Sequence, residues 1–112
     1  MAWLIREGEV LAALDVADSF GDRLRGLRGR DTVEGALLLR PCRSVHTLGM
    51  RFPIDVAFCR QQDESLVVLA VVEMRRWRIG RPRPRAKCVI EAEAGAFARW
   101  RLRLGDVLEI KG

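Results

Sequence analysis

Histidine is almost missing from this chain: His46 is the one imidazole among 112 residues. Any zinc centre would therefore have to be completed by cysteine. The three cysteines, Cys42, Cys59 and Cys88, form no C-x-x-C pair and match none of the usual ligand spacings. No metal is expected, and an odd number of thiols argues against a disulfide framework. Lysine is also scarce. Of the 20 basic residues 18 are arginine, and the formal charge is +5. Such an imbalance can reflect genome composition and not selection for a polyanion, so the charge alone argues only slightly for a polyanionic partner. No apolar run approaches the ~20 residues that span a bilayer. The start, MAWLIREGEV, lacks the basic opening of a signal peptide. No membrane partner and a cytoplasmic address are the resulting expectations. Gly26-Leu27-Arg28-Gly29 lacks the strand–loop–helix order and the Lys-Ser/Thr pair of a phosphate loop. Glu91 and Glu93 alternate with apolar residues and are expected to face outward together, not to form a catalytic carboxylate pair. No cofactor is expected.

What is present is a globular composition, 49% apolar and 31% charged, with no internal repeat or linker. A single domain over residues 1–112 follows, large enough to bury roughly 65% of its unfolded surface. Trp3–Arg6 and Val10–Leu14 read as strands around a Glu7-Gly8-Glu9 turn. Asp18 or Ser19 can cap a short helix through Phe20, Leu24 and Leu27, and Asp31–Glu34 reads as a loop. Ala36–Leu39 is an apolar run stopped by Pro41. From Met50 the residues alternate: Met50, Phe52, Ile54, Val56 and Phe58 share one face, and Arg51, Pro53, Asp55, Ala57 and Cys59 the other. Pro53 donates no ladder bond, so this strand is expected at an edge or with a bulge. Gln61–Ser65 is a polar turn. Leu66–Met74 is apolar on both faces and hence expected to be central. Ala86–Glu93 and Val107–Ile110 are further strands, and Gly95–Leu102 suits a second short helix. The fold class is α+β: a small domain with a mostly antiparallel sheet or partly closed barrel and two short helices.

Chemistry concentrates in Cys42–Phe58, CRSVHTLGMRFPIDVAF. It joins the single imidazole, a Gly49-Met50 pivot, and the carboxylate of Asp55 within an apolar run. An imidazole serves as acid, base, switch or ligand, or else fixes a turn by bonding backbone. Four residues of extended chain cover about 13 Å, so Cys42 and His46 are too far apart to share one proton or one metal. Asp55 is either a cleft acid beside Arg51 or His46, or a structural hydrogen-bonder. The second feature is Arg75–Lys87, RRWRIGRPRPRAK, with seven basic residues in thirteen and no acid. Arg75, Arg76, Arg78, Arg81, Arg83 and Arg85 can neutralise phosphates while Trp77 stacks on a base. The plainer reading is a solvated loop with Trp77 folded back over a sheet edge.

His46-Thr47-Leu48-Gly49-Met50-Arg51-Phe52-Pro53-Ile54-Asp55-Val56-Ala57-Phe58 resembles the signature of the uncharacterised family DUF192. Arg23–Arg30, Gly35–Leu38, Val89-Ile90-Glu91, Ala94-Gly95 and Leu104-Gly105-Asp106 resemble its flanking patterns in the same order. Two positions depart from it. Gln61–Ser65 carries no glycine where the family often has one, and Arg76 stands where it often has proline. The resemblance implies a small β-rich fold and no established activity.

The leading expectation is a non-enzymatic binding module whose pocket is formed by His46, Thr47, Arg51 and Asp55, with Trp77 at the rim. Its partner would be a small anionic ligand or an acidic peptide. One alternative is a hydrolase using His46 and Asp55 as an acid/base pair. The other is a nucleic-acid-binding accessory protein using the Arg75–Lys87 loop.

Overall fold

A computed structural model describes residues 2–17 and 34–112. Seven strands close into a barrel: β1 (Ala2–Arg6), β2 (Glu9–Ala17), β3 (Ala36–Leu39), β4 (Ile54–Gln62), β5 (Ser65–Met74), β6 (Cys88–Glu93) and β7 (Val107–Lys111). Their order around the barrel is β1-β2-β3-β6-β4-β5-β7. Among the described strands only β2 and β3 pair in parallel, at Leu14↔Ala36 through Ala17↔Leu39. The barrel is thus fully closed, where sequence left closure open, and mixed with antiparallel pairs dominating.

Local chemistry explains the elements. Glu7 and Gly8 both have positive φ, 51° and 79°, the pair of left-handed residues that a two-residue hairpin turn requires. The alternation in β4 holds. Ala57 and Cys59 point into the barrel with Leu4, Leu14, Leu38, Leu66, Ile90 and Leu108. Ile54, Val56 and Phe58 point outward with Leu37, Leu39 and Val89. The outward set is nonetheless buried, because the two long loops lie across it and bring Val45, Met50 and Ala86 onto it.

One short helix, α1 (Ala96–Trp100), plugs one barrel end with Ala96 and Phe97. Asp55 reaches it from β4 and accepts the backbone N–H groups of Gly95 and Phe97, each at 3.0 Å. A helix this short owes its place to such satisfaction of its first N–H groups and to tertiary packing. Its far end is fixed by Arg6, which donates to the carbonyls of Trp100 (2.5 Å) and Arg101 (3.2 Å) and pairs with Asp106 at 3.0 Å.

Four sequence expectations need correction or limits. The helix expected between Asp18 and Leu27 lies outside the described residues. Pro53 precedes β4 and does not sit within it. That strand is central, between β6 and β5, with its irregularity at Phe58/Cys59. Conversely β5 is central only in part: it pairs along its length with β4 but with β7 only at Ser65–Val67. Finally, Glu91 is buried while Glu93 is exposed and pairs with Arg99 at 2.6 Å. The packed loops and neighbouring strands bury an outer-face position that alternation alone assigns to solvent.

Cys59 and Cys88 are register partners in β4 and β6 and lie in the barrel interior. The hydrogen bond to Cys88, and then burial, push the Cys59 thiol far above the ordinary thiol range. Cys42 is half-buried, with its thiol donating to the Ser44 carbonyl at 3.1 Å. Iodoacetamide at neutral pH should accordingly label Cys42 in the native protein, and Cys59 and Cys88 only after unfolding. Peptide mapping of the adducts checks this; native labelling of Cys59 would contradict the packing.

Candidate functional site

The two loops on the outer face, residues 40–53 and 75–87, satisfy each other's backbone. Cys42 N–H donates to Lys87 O (3.0 Å), Arg83 N–H to Arg43 O (2.8 Å), and Gly80 N–H to Val45 O (2.8 Å). His46 and Ile79 form an isolated antiparallel bridge. Thr47 is the centre of the seam. Its N–H donates to Arg78 O at 2.7 Å, and its carbonyl accepts from Trp77 N at 3.0 Å and Met50 N at 3.1 Å. Its hydroxyl donates to Arg75 O at 2.5 Å and accepts from Arg78 N at 2.8 Å. The side chain is fully buried. At Gly80 a Cβ would meet the Val45 carbonyl at 2.7 Å, so the loops could not approach this closely with any other residue there.

This seam presents the basic loop outward. Trp77 holds a left-handed φ of 60°, an uncommon conformation for an aromatic residue that the Thr47 bonds stabilise. It stands 61% exposed, so it is not a lid over the sheet edge. Between the loop and β5 lies a groove of about 330 Å³ floored by Phe58, Val72 and Met74 and walled by Arg78, Arg81 and Arg83. The Arg83 guanidinium lies 5.3 Å from the Phe58 ring centroid, within cation–π range. Its Nε is buried and has no hydrogen-bond partner among the described residues. The described ion pairs Arg6–Asp106 and Arg99–Glu93 lie elsewhere, and Glu73 is the one acid along the groove.

The chain belongs to the DUF192 (UPF0127) family. The DUF192 model, described as an uncharacterized ACR, matches residues 3–110. A UPF0127 protein of Pyrococcus abyssi is 31% identical over 92% of this chain and 86% of its own length. One of Pyrococcus furiosus is 30% identical over 90% and 89%. A crystal structure of a protein of unknown function from Novosphingobium aromaticivorans superposes with a TM-score of 0.74 at 18% identity, covering 96% of this chain and 82% of that one. Another, from Sinorhizobium meliloti, is described as a "putative transcription regulator" and gives 0.77 at 19% identity, covering 96% and 90%. At these identities the two structures show a shared barrel alone.

Within this DUF192 fold the residues expected to form one cleft are separated. Asp55 is 6% exposed and faces the barrel interior under α1. His46 is exposed on the outer-face loop, where its Nδ1 accepts the Leu48 N–H at 3.3 Å. The sheet lies between them. Thr47 is a buried connector and Arg51 is exposed. Of the expected rim, Trp77 is in place, but the groove beside it is built from Arg78, Arg81 and Arg83, which sequence reasoning assigned only to nucleic acid. Phe58, Val72 and Met74 were missed as its floor. Strand alternation put Phe58 on the outer face, yet nothing local says which loop would settle beside it.

Two substitutions separate these roles. Asp55→Asn removes a carboxylate that serves two backbone N–H groups and should destabilise the protein by about 1–3 kcal/mol. His46→Ala should fall within about 0.5 kcal/mol, as exposed side chains do. Thr47→Val should resemble Asp55→Asn, since it strands a buried N–H and a carbonyl while keeping the shape. Urea titration of the three variants against the parent is the measurement. Equal losses for His46→Ala and Asp55→Asn would contradict the placement.

Proposed function

We propose that this protein is a small non-enzymatic binding module for an anionic ligand, held in the groove between β5 and the Arg75–Lys87 loop. One observation carries the reading: Arg78, Arg81 and Arg83 wall a groove with an apolar floor, and no carboxylate pairs with them among the described residues. A guanidinium offers a planar fork of donors that matches carboxylate or phosphate. Stacking on Phe58 holds the Arg83 plane in place, and its buried Nε keeps an unfilled donor. An apolar floor under fixed cations suits a ligand with both a charged end and a hydrocarbon part. The site earlier expected around His46 and Asp55 moves to this groove, while the anionic class of ligand is kept. No acid/base pair of His46 and Asp55 supports a hydrolase reading.

A second reading rests on Trp77. Its 61% exposure between Arg76 and Arg78 offers a stacking surface beside phosphate-neutralising cations, as single-stranded nucleic acid would use. The description of the structurally similar Sinorhizobium protein as a "putative transcription regulator" is consistent with this reading.

Succinate titrated by isothermal calorimetry or amide chemical shifts tests the first reading. Arg81→Ala and Arg83→Ala should each weaken binding roughly tenfold, about 1.4 kcal/mol, and Trp77→Ala should leave it unchanged. The nucleic-acid reading predicts the reverse: oligonucleotide binding lost with Trp77→Ala and falling steeply with salt. Unchanged succinate affinity in the Arg81/Arg83 double variant would sink the groove as the site.

A further inference from the structure

We infer that the ligand of this groove is an extended acidic peptide, added to the open edge of β5 as a further strand. The inference rests on the anion-binding reading and supplies its partner. On one side β5 is paired from Ser65 to Met74 with β4. On the other it meets β7 only at Ser65–Val67, and Val68 then exchanges bonds with Asp106 (2.9 Å) and Gly105 (2.8 Å). Beyond Val68 no described residue pairs with Leu69–Met74 on that side. The register shift opposite Phe58/Cys59 occurs where β5 leaves β7, and bulges bend a strand away from its neighbour.

Exposed edges are ordinarily guarded by lysine, proline or an inward charge, because unpaired N–H and C=O groups recruit other strands. The sequence of this edge, Leu-Ala-Val-Val-Glu-Met, has neither lysine nor proline; Glu73 is its single charge, at the far end of the edge, and Val71 is 38% exposed. Its surroundings select the partner. On the outer face stand Arg78, Arg81 and Arg83, with Arg85 beside Leu69 and Ala70. On the inner face a hollow of about 370 Å³ beside Val71 is bordered by Arg101 and Arg103, and also by the carboxylates of Asp55, which is held by the Gly95 and Phe97 N–H groups, and Glu73. Side chains of an added strand alternate between these two faces. Acidic residues on its outer side would meet the arginine cluster, those on its inner side Arg101 and Arg103 beside Glu73, while its main chain completes the ladder, the mode in which backbone bonds give affinity and side chains give selectivity. A second copy of this chain would instead bring two arginine loops together. A nucleic acid has no amide ladder to offer.

The test uses the intact protein with four probes: succinate, an end-blocked octapeptide of alternating glutamate and valine, and two versions of that peptide, each N-methylated on one alternate set of residues. The octapeptide should bind more tightly than succinate and slow amide exchange within residues 69–74. N-methylating the ladder-facing set should weaken binding roughly tenfold or more, the worth of one or two hydrogen bonds, while the other set is tolerated. If succinate binds but the peptide gains nothing, or both N-methylated peptides bind like the parent, the edge inference is overturned and the anion site stands. If neither succinate nor peptide binds, the anion site fails and the inference with it. Protection of residues 69–74 without peptide, growing with protein concentration alongside a dimer mass, would assign the edge to a second copy and overturn the proposal.

Discussion

The hydroxyl of Thr47 governs what this barrel shows to its surroundings. The outer face of β4 and β6 carries Ile54, Val56, Phe58 and Val89, which require cover. The cover is two irregular loops, and irregular backbone buried on an apolar sheet leaves N–H and C=O groups that must find partners. Each loop serves as the other's partner, and Thr47 is where four of those bonds converge, to Arg78 O, Trp77 N, Arg75 O and Arg78 N, with a fifth from Met50 N inside its own loop. Because a hydroxyl both donates and accepts, one small side chain satisfies a carbonyl and an amide of the same neighbouring turn. Serine would lose the methyl packing, and valine would lose both bonds.

From that seam the groove follows. With Thr47, Val45 and Gly80 holding its middle, the Arg75–Lys87 loop cannot collapse onto β5, and its arginines are left beside Phe58, Val72 and Met74 without pairing to one another's counterions. Like charges gathered this closely repel, a cost reduced by their exposure to water and by screening. Arg83 is the exception: half-buried on Phe58, it gives up part of its hydration for ring contact. In the proposed anion-binding role, such a groove would take its ligand without first breaking an internal ion pair. The inner side of the sheet shows the contrasting design, with Asp55 and Arg6 committed to holding α1.

Much of the architecture was legible in the chain. The Glu7-Gly8 hairpin, the Ala36–Leu39 strand, the alternation through Phe58 and the helix after Gly95 all rest on local rules: positive φ at turns, a period of two in strands, and a stop at Pro41. The boundaries moved by one or two residues at most ends, as at Lys111, but by three at the end of β2 and by four at both ends of β4, which starts at Ile54 and runs on into polar sequence to Gln62. The failures concern relations between segments. Leu66–Met74 read as central because it is apolar on both faces, but its outer face is covered by a loop and its second half has no neighbour beyond β4 among the described residues. Hydrophobicity reports burial and does not report which side holds the hydrogen-bond partner.

The His46–Asp55 pairing failed for the same reason. They lie nine positions apart in sequence, and strand periodicity correctly put Asp55 on the face opposite Ile54 and Val56. Whether that side was a cleft or the barrel interior depended on closure by β7, which lies fifty residues further on. Sequence by itself therefore determined the elements, the faces of the strands and the concentration of arginine around Trp77, because these follow from φ/ψ preference, periodicity and composition. Only tertiary structure decided that Asp55 caps a helix, that Thr47 joins two loops, and that Arg83 rests on Phe58. Each of those is a contact between residues tens of positions apart, set by how the sheet closes and not by any property of the segments taken singly.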